Sequence, residues 1–144
     1  MKLLSHFIIG FILSIFLFII GYGTINISIF LLSSVLIDLD HIQMVVVNKA
    51  FTIDKLLQLD KNIYPEYKQH PDTAYLNVIY IFHTIEFNVV LAMTGILNNI
   101  LFFISIGFIF HIICDVLYSL LTGMPVIRWL SFVVWINSKR VNKE

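Results

Sequence analysis

Two carboxylates and an imidazole lie within four residues of the chain, at Asp38, Asp40 and His41, directly after a long apolar run. The whole chain has 144 residues with nine acidic side chains and five histidines, so these scarce groups are concentrated here. Two more histidine–carboxylate pairs interrupt other apolar runs: His83 with Glu86, and His111 with Asp115. Charged groups are costly in an apolar surrounding and persist there when they are paired or bind an ion. We therefore expect these groups to meet in one metal site inside a membrane or at its edge.

The spacing within the two pairs places the members of each pair on one face of a helix. His83 and Glu86 are at positions i and i+3, and His111 and Asp115 are at i and i+4, so both members can reach one ion. Imidazole combined with carboxylate suits zinc, manganese or iron, and we expect zinc. His6, in the first apolar run, is a further candidate ligand.

Each of these groups also has an interpretation that needs no metal. His6 could form only a hydrogen bond to a neighbouring helix. Asp38 and Asp40 could mark a polar helix end at the edge of a membrane. The two deeper pairs could be histidine–carboxylate pairs that neutralise each other, because a bare charge well inside a membrane span is costly.

The composition indicates an integral membrane protein. Hydrophobic residues make up 59% of the chain and charged residues 12%, and the mean hydropathy is +0.92. Soluble domains contain about 25% charged residues, so we expect a single domain, residues 1–144, in the cell's inner or plasma membrane with lipid as its partner. The net charge is zero, which implies no bulk attraction to nucleic acid.

The apolar runs predict an all-α bundle of about four transmembrane helices, over residues 3–20, 25–37, 75–97 and 100–121. The second run reaches spanning length only if the segment through Ile42 contributes. A polar cytoplasmic loop is expected at about 48–73, with a short amphipathic surface helix and a solvated His70. A short interfacial helix over 126–136 and a basic tail at 137–144 follow.

The basic residues predict the orientation of this bundle. With four spans, all nine Lys and Arg residues fall on the face that carries both termini and the 48–73 loop, whereas the turns at 21–24 and 98–99 carry none. An excess of Lys and Arg marks the cytoplasmic side, so we expect both termini to be cytoplasmic. The candidate ligands of all four spans then lie in the cytoplasmic half of the bilayer.

The order of these motifs resembles that of the YdjM-like membrane-bound metal-dependent hydrolases. The resemblance is carried by Ser5-His6, Asp38-Leu39-Asp40-His41, Phe82-His83-Thr84-Ile85-Glu86, a G-x-x-x-H-x-x-x-D helix from Gly107 to Asp115, and the turn Leu121-Thr122-Gly123-Met124-Pro125. It covers most of the chain except the 48–72 loop. It departs from the family pattern at Glu86, where many members have a second histidine. A fainter similarity of the His-x-x-x-Asp element is to secreted zinc-dependent phospholipases C.

The resemblance implies hydrolysis, and the fainter similarity favours a phosphoester as substrate. A site at the depth of the cytoplasmic leaflet suits a lipid head group. The expected metal ligands are His6, Asp38, Asp40, His41, His83, Glu86, His111 and Asp115, a set large enough for two ions. One carboxylate, Asp40 or Glu86, could instead be a supporting group or the general base. The alternatives are a non-catalytic protein that handles metal or protons, and an assembly protein whose polar pairs only join helices.

Overall fold

The computed structural model describes residues 3–58, 79–123 and 130–141, and the regular secondary structure within these ranges is entirely helical. The expected all-α class is therefore confirmed. The six main helices, numbered here in chain order, are α1 (Leu3–Ile19), α2 (Thr24–Leu36), α3 (Ile42–Val47), α4 (Ile85–Gly95), α5 (Asn99–Thr122) and α6 (Phe132–Val141). Two short 3₁₀ segments, Ile37–His41 and Ile81–His83, precede α3 and α4. Residues 53–58 are also helical, where the surface helix is expected.

Local sequence signals set the ends of the long helices. Gly21 has a φ of 95° in the turn between α1 and α2, a conformation that glycine adopts without strain. The Asn98 side chain caps α5 by accepting hydrogen bonds from the backbone N–H groups of Ile100 and Leu101. Gly123 ends α5 in the left-handed conformation, with a φ of 70°.

The third predicted span differs from the structure. The described part of the 75–97 run is not one helix, because Thr84 has an extended backbone and caps α4, which therefore begins at Ile85. Residues 75–78 lie outside the described ranges. Two continuous helical stretches are long and apolar enough to cross a membrane. They are Thr24–Val47, which joins α2, the first 3₁₀ segment and α3, and Asn99–Thr122, which is α5; Leu4–Ile19 and Ile85–Gly95 are shorter.

Close packing at small residues holds the bundle together. Helix α5 packs against α2 and α4, and α2 also packs against α1. A Cβ atom added at Gly107 of α5 would lie 2.0 Å from Ser33 Oγ and 2.7 Å from the Phe30 carbonyl oxygen of α2. Small residues let helix backbones approach in this way when no hydrophobic effect drives them together.

The pattern of burial is inverted relative to that of a soluble protein. Among the described residues, only five buried side chains are hydrophobic, and the buried polar side chains outnumber them: His6, Ser14, Ser33, Ser34, Asp40, His83, Thr84, Asn88, Ser105, His111, Asp115 and Ser119. Large apolar side chains cover the outside, including Phe16 of α1 and Leu121 of α5. Soluble monomers rarely expose large continuous apolar surfaces, so this surface is suited to lipid.

We predict that Gly107→Ala lowers the stability of the bundle. The added methyl group has no room between α5 and α2, and such overpacking costs about 1–3 kcal/mol. Thermal unfolding in detergent micelles measures the effect. Gly23→Ala is the matched control, since nothing lies within 4 Å of the added atom there. Equal melting temperatures for Gly107→Ala and the unaltered protein would contradict the close approach of α5 to α2 at Gly107.

Candidate metal centre

Four segments of the chain bring seven of the eight predicted ligands into one cluster. His6 is on the first turns of α1, Asp38 and Asp40 are on the 3₁₀ segment after α2, and His83 is on the 3₁₀ segment before α4. His111 and Asp115 lie one turn apart on the buried face of α5. Three overlapping groups of side chains lie close enough to hold a metal ion: His6 with His111 and Asp115; Asp38 with His83 and His111; and Asp40 with His41 and His83.

The orientation of His111 is set by a backbone carbonyl. Its Nδ1 lies 2.7 Å from the carbonyl oxygen of Ser34, which can only accept, so Nδ1 is the donor. The opposite ring nitrogen, Nε2, then faces Asp38 Oδ1 at 3.3 Å and Asp115 Oδ2 at 3.2 Å. In the neutral ring Nε2 is an acceptor facing two more acceptors, and it is buried without a hydrogen bond from any described residue. Either a metal ion between these three atoms or a proton on Nε2 satisfies this arrangement.

His83 presents a second imidazole nitrogen to the same space. Its Nδ1 lies 3.1 Å from Asp40 Oδ2, and its Nε2 lies 3.6 Å from Asp38 Oδ1 and 3.8 Å from Asp115 Oδ2. Ligands about 2.0–2.1 Å from a tetrahedral zinc ion lie about 3.3–3.4 Å from one another. The four nitrogen–oxygen distances, 3.2 to 3.8 Å, bracket this value.

The charges of this set also fit a divalent ion. The carboxylates of Asp38 and Asp115 balance the charge of one such ion, and the imidazoles add no charge when neutral. Among the described residues, the ion pairs of Asp38 are with His41, His83 and His111. The metal-free alternative is a protonated His111 shared between Asp38 and Asp115.

Further contacts hold the ligands in place. Asp40 Oδ2 accepts from the His83 ring and also from the backbone N–H of Phe82, at 3.1 Å each. His6 Nε2 lies 3.0 Å from Asp115 Oδ1, and the His6 ring stacks on that of His111 with centroids 3.7 Å apart. A carboxylate that accepts the ring N–H of a ligating imidazole, as Asp40 does for His83, orients the ring and raises its basicity. In this geometry Asp40 and His6 support the ligands from outside.

His41 lies at the open side of the cluster. Its ring nitrogen Nδ1 is 3.4 Å from Asp38 Oδ1 and 3.2 Å from Asp40 Oδ1, and its side chain is 48% exposed. The ring stacks on Tyr80 with centroids 4.2 Å apart. The rings of His83 and His111 are almost completely buried, so the approach from outside is past His41 and Asp38.

Glu86 lies apart from the three groups. Its carboxylate accepts hydrogen bonds from the Ser131 hydroxyl at 2.6 Å and from the backbone N–H groups of Phe132 and Val133 at 3.1 and 3.3 Å. The i, i+3 spacing that predicted a shared face with His83 does not apply, because the helix begins only after Thr84. Glu86 therefore caps the start of α6, whereas the sequence predicted that it is a metal ligand or the general base.

Two supporting groups were not predicted from the sequence. The Ser34 carbonyl and the Phe82 amide belong to the backbone, so no residue type marks them. Asn88 is a third omission: its side-chain amide donates to the carbonyl oxygens of Phe82 and Thr84, at 2.7 and 2.9 Å, and steadies the turn that carries His83. A buried amide in an apolar run was a signal that could have identified it.

No protein-family model, no characterised protein and no solved structure matches this chain at a significant level. The resemblance to the YdjM-like hydrolases therefore rests on the sequence motifs alone, and the metal centre rests on the contacts described above.

We predict a graded loss of metal across three variants. His111→Ala removes a ligand and should abolish stoichiometric binding. Asp40→Asn leaves the ligands in place but replaces the acceptor of the His83 N–H, so affinity should fall about 10–100-fold. His70→Ala, in the loop outside the described residues, should change nothing. Metal content and competition with a chelator measure all three. Full metal in His111→Ala would contradict the assignment.

Proposed function

We propose that this chain is an integral membrane metal-dependent hydrolase that acts on a phosphoester, such as a lipid head group at the cytoplasmic leaflet. One observation carries the proposal: the Nε2 atoms of His83 and His111 lie 3.2 to 3.8 Å from carboxylate oxygens of Asp38 and Asp115, and both rings are buried. Such a nitrogen and oxygen set is typical of zinc, with manganese and iron as alternatives.

In this proposal Asp38, His83, His111 and Asp115 hold the ion. When bound, the ion would supply Lewis-acid polarisation of the scissile group and activation of water near neutral pH. Because these four side chains would fill a tetrahedral shell, a water or substrate oxygen would enter as a fifth neighbour, and the partly exposed edge at Asp38 is where it fits. The sequence motifs that resemble YdjM-like hydrolases support the same reaction class.

The surrounding residues have distinct roles in the proposal. Asp40 orients His83 through the ring N–H and does not meet substrate, since both of its oxygens are buried. His41 lies beside Asp38 with half of its ring exposed, so it is the group that meets the departing or attacking oxygen of a substrate. Tyr80 holds the His41 ring by stacking.

The inverted burial supports a location in the membrane. We propose four crossings with both termini cytoplasmic, in which α1 and α4 join the two longer helices. The distribution of Lys and Arg supports this orientation, which a reporter fused to the C-terminus would test. The metal centre then lies at the depth of the cytoplasmic lipid head groups.

Transport of metal or protons is the alternative that the distribution of polar groups disfavours. An ion path needs polar groups through both leaflets. The segments 15–26 and 93–103, which form the opposite half of the bundle, contain no Asp, Glu, Lys, Arg or His.

We predict that the purified protein in mixed micelles hydrolyses a phospholipid or a soluble phosphoester in a metal-dependent way. Chelation should abolish activity and zinc should restore it, and His111→Ala should lower the rate about a thousandfold or more, because the ion contributes several kcal/mol to the barrier. His70→Ala is the control. Stoichiometric metal without hydrolysis of phosphomonoesters, phosphodiesters or phospholipids would contradict the hydrolase and favour the non-catalytic alternative.

A further inference from the structure

Glu86 joins the start of α4 to the start of α6. The first N–H groups of a helix have no partner within the helix. Here the carboxylate of Glu86 accepts from two of those groups in α6, Phe132 and Val133, and from the hydroxyl of Ser131. A negative group at a helix N-terminus is also favoured by the helix dipole.

A backbone hydrogen bond closes the same junction from the other side. The N–H of Ile85, the first residue of α4, donates to the carbonyl oxygen of Leu130 at 2.7 Å. The Ser131 hydroxyl oxygen also accepts from the backbone N–H of Val134 at 3.3 Å. The starts of the two helices are therefore joined by side-chain and backbone bonds together, so neither can shift alone.

The junction lies directly beside the turn that carries His83. Only Thr84 separates His83 from Ile85, and the Thr84 hydroxyl donates to the carbonyl oxygen of Ile81 at 2.8 Å. The Asn88 amide binds the carbonyl oxygens on both sides of His83. A displacement at the start of α4 is thus transmitted to the His83 ring through a short, bonded turn.

We infer that Glu86 is a positioning residue: through its bonds to the start of α6 it fixes the turn that presents His83 to the metal centre. The inference rests on the proposed function for the existence of the centre. It assigns α6 a role in the geometry of the site without contact between α6 and the metal. Ser131 is its partner in this role.

Cobalt(II) binding to the full chain in detergent tests the inference, because the visible spectrum of cobalt reports ligand geometry. Glu86→Gln and Ser131→Ala should each alter the spectrum and weaken cobalt binding about two- to tenfold, and the double variant should be no worse than the stronger single one. Asn26→Ala is the matched control: it removes the 2.9 Å side-chain bond to Asn99 at the other end of the bundle and should leave the spectrum unchanged.

The other outcomes distinguish a failure of the positioning role of Glu86 from a failure of the metal centre. Loss of all cobalt in Glu86→Gln, with normal binding in Ser131→Ala, would make Glu86 a ligand and overturn the positioning role. An unaltered spectrum in both variants, or an equal change in Asn26→Ala, would also overturn it. Absence of cobalt from the unaltered protein would overturn the metal centre itself and, with it, this inference. Amide hydrogen exchange in residues 130–137 should be faster in Glu86→Gln, because the amides at the start of α6 lose part of their acceptor. This measurement tests the junction between α4 and α6 independently of metal.

Discussion

The hydrogen bond from His111 to the carbonyl oxygen of Ser34 determines what the centre can be. Because a carbonyl cannot donate, the imidazole must direct its other nitrogen at the carboxylates of Asp38 and Asp115. Ser34 lies in the last turn of α2, just before the chain changes from α-helix to 3₁₀ helix after Leu36.

The apolar outer surface of the bundle encloses an interior rich in polar groups. Lipid-facing helices gain nothing by burying leucine, so contact between them depends on small residues and on polar groups that find partners. The close approach of α5 and α2 at Gly107 brings the Ser34 carbonyl within reach of His111. Fold and site are therefore linked: the packing that joins these two helices also sets the tautomer of a metal ligand.

Much of the candidate centre could be predicted from residue type and spacing. His111 and Asp115 lie on one long uninterrupted helix, so their i, i+4 spacing led directly to a shared face. The same reasoning failed for Glu86, because Thr84 interrupts the helix between it and His83, and a periodicity applies only where the helix is continuous. The sequence also could not predict that Asp38 faces the ring nitrogen of His111 whereas Asp40 supports His83 from outside. These positions depend on a 3₁₀ geometry that apolar periodicity does not distinguish from the α-helix.

X-ray absorption at the zinc edge of the zinc-loaded protein measures whether Asp38, His83, His111 and Asp115 hold the ion. We expect four nitrogen or oxygen neighbours at about 2.0–2.1 Å, with the scattering signature of two imidazole rings. A thiolate sulfur at about 2.3 Å, which the single cysteine Cys114 would supply, would contradict this expectation. So would a zinc environment without imidazole, or a purified protein that retains no zinc.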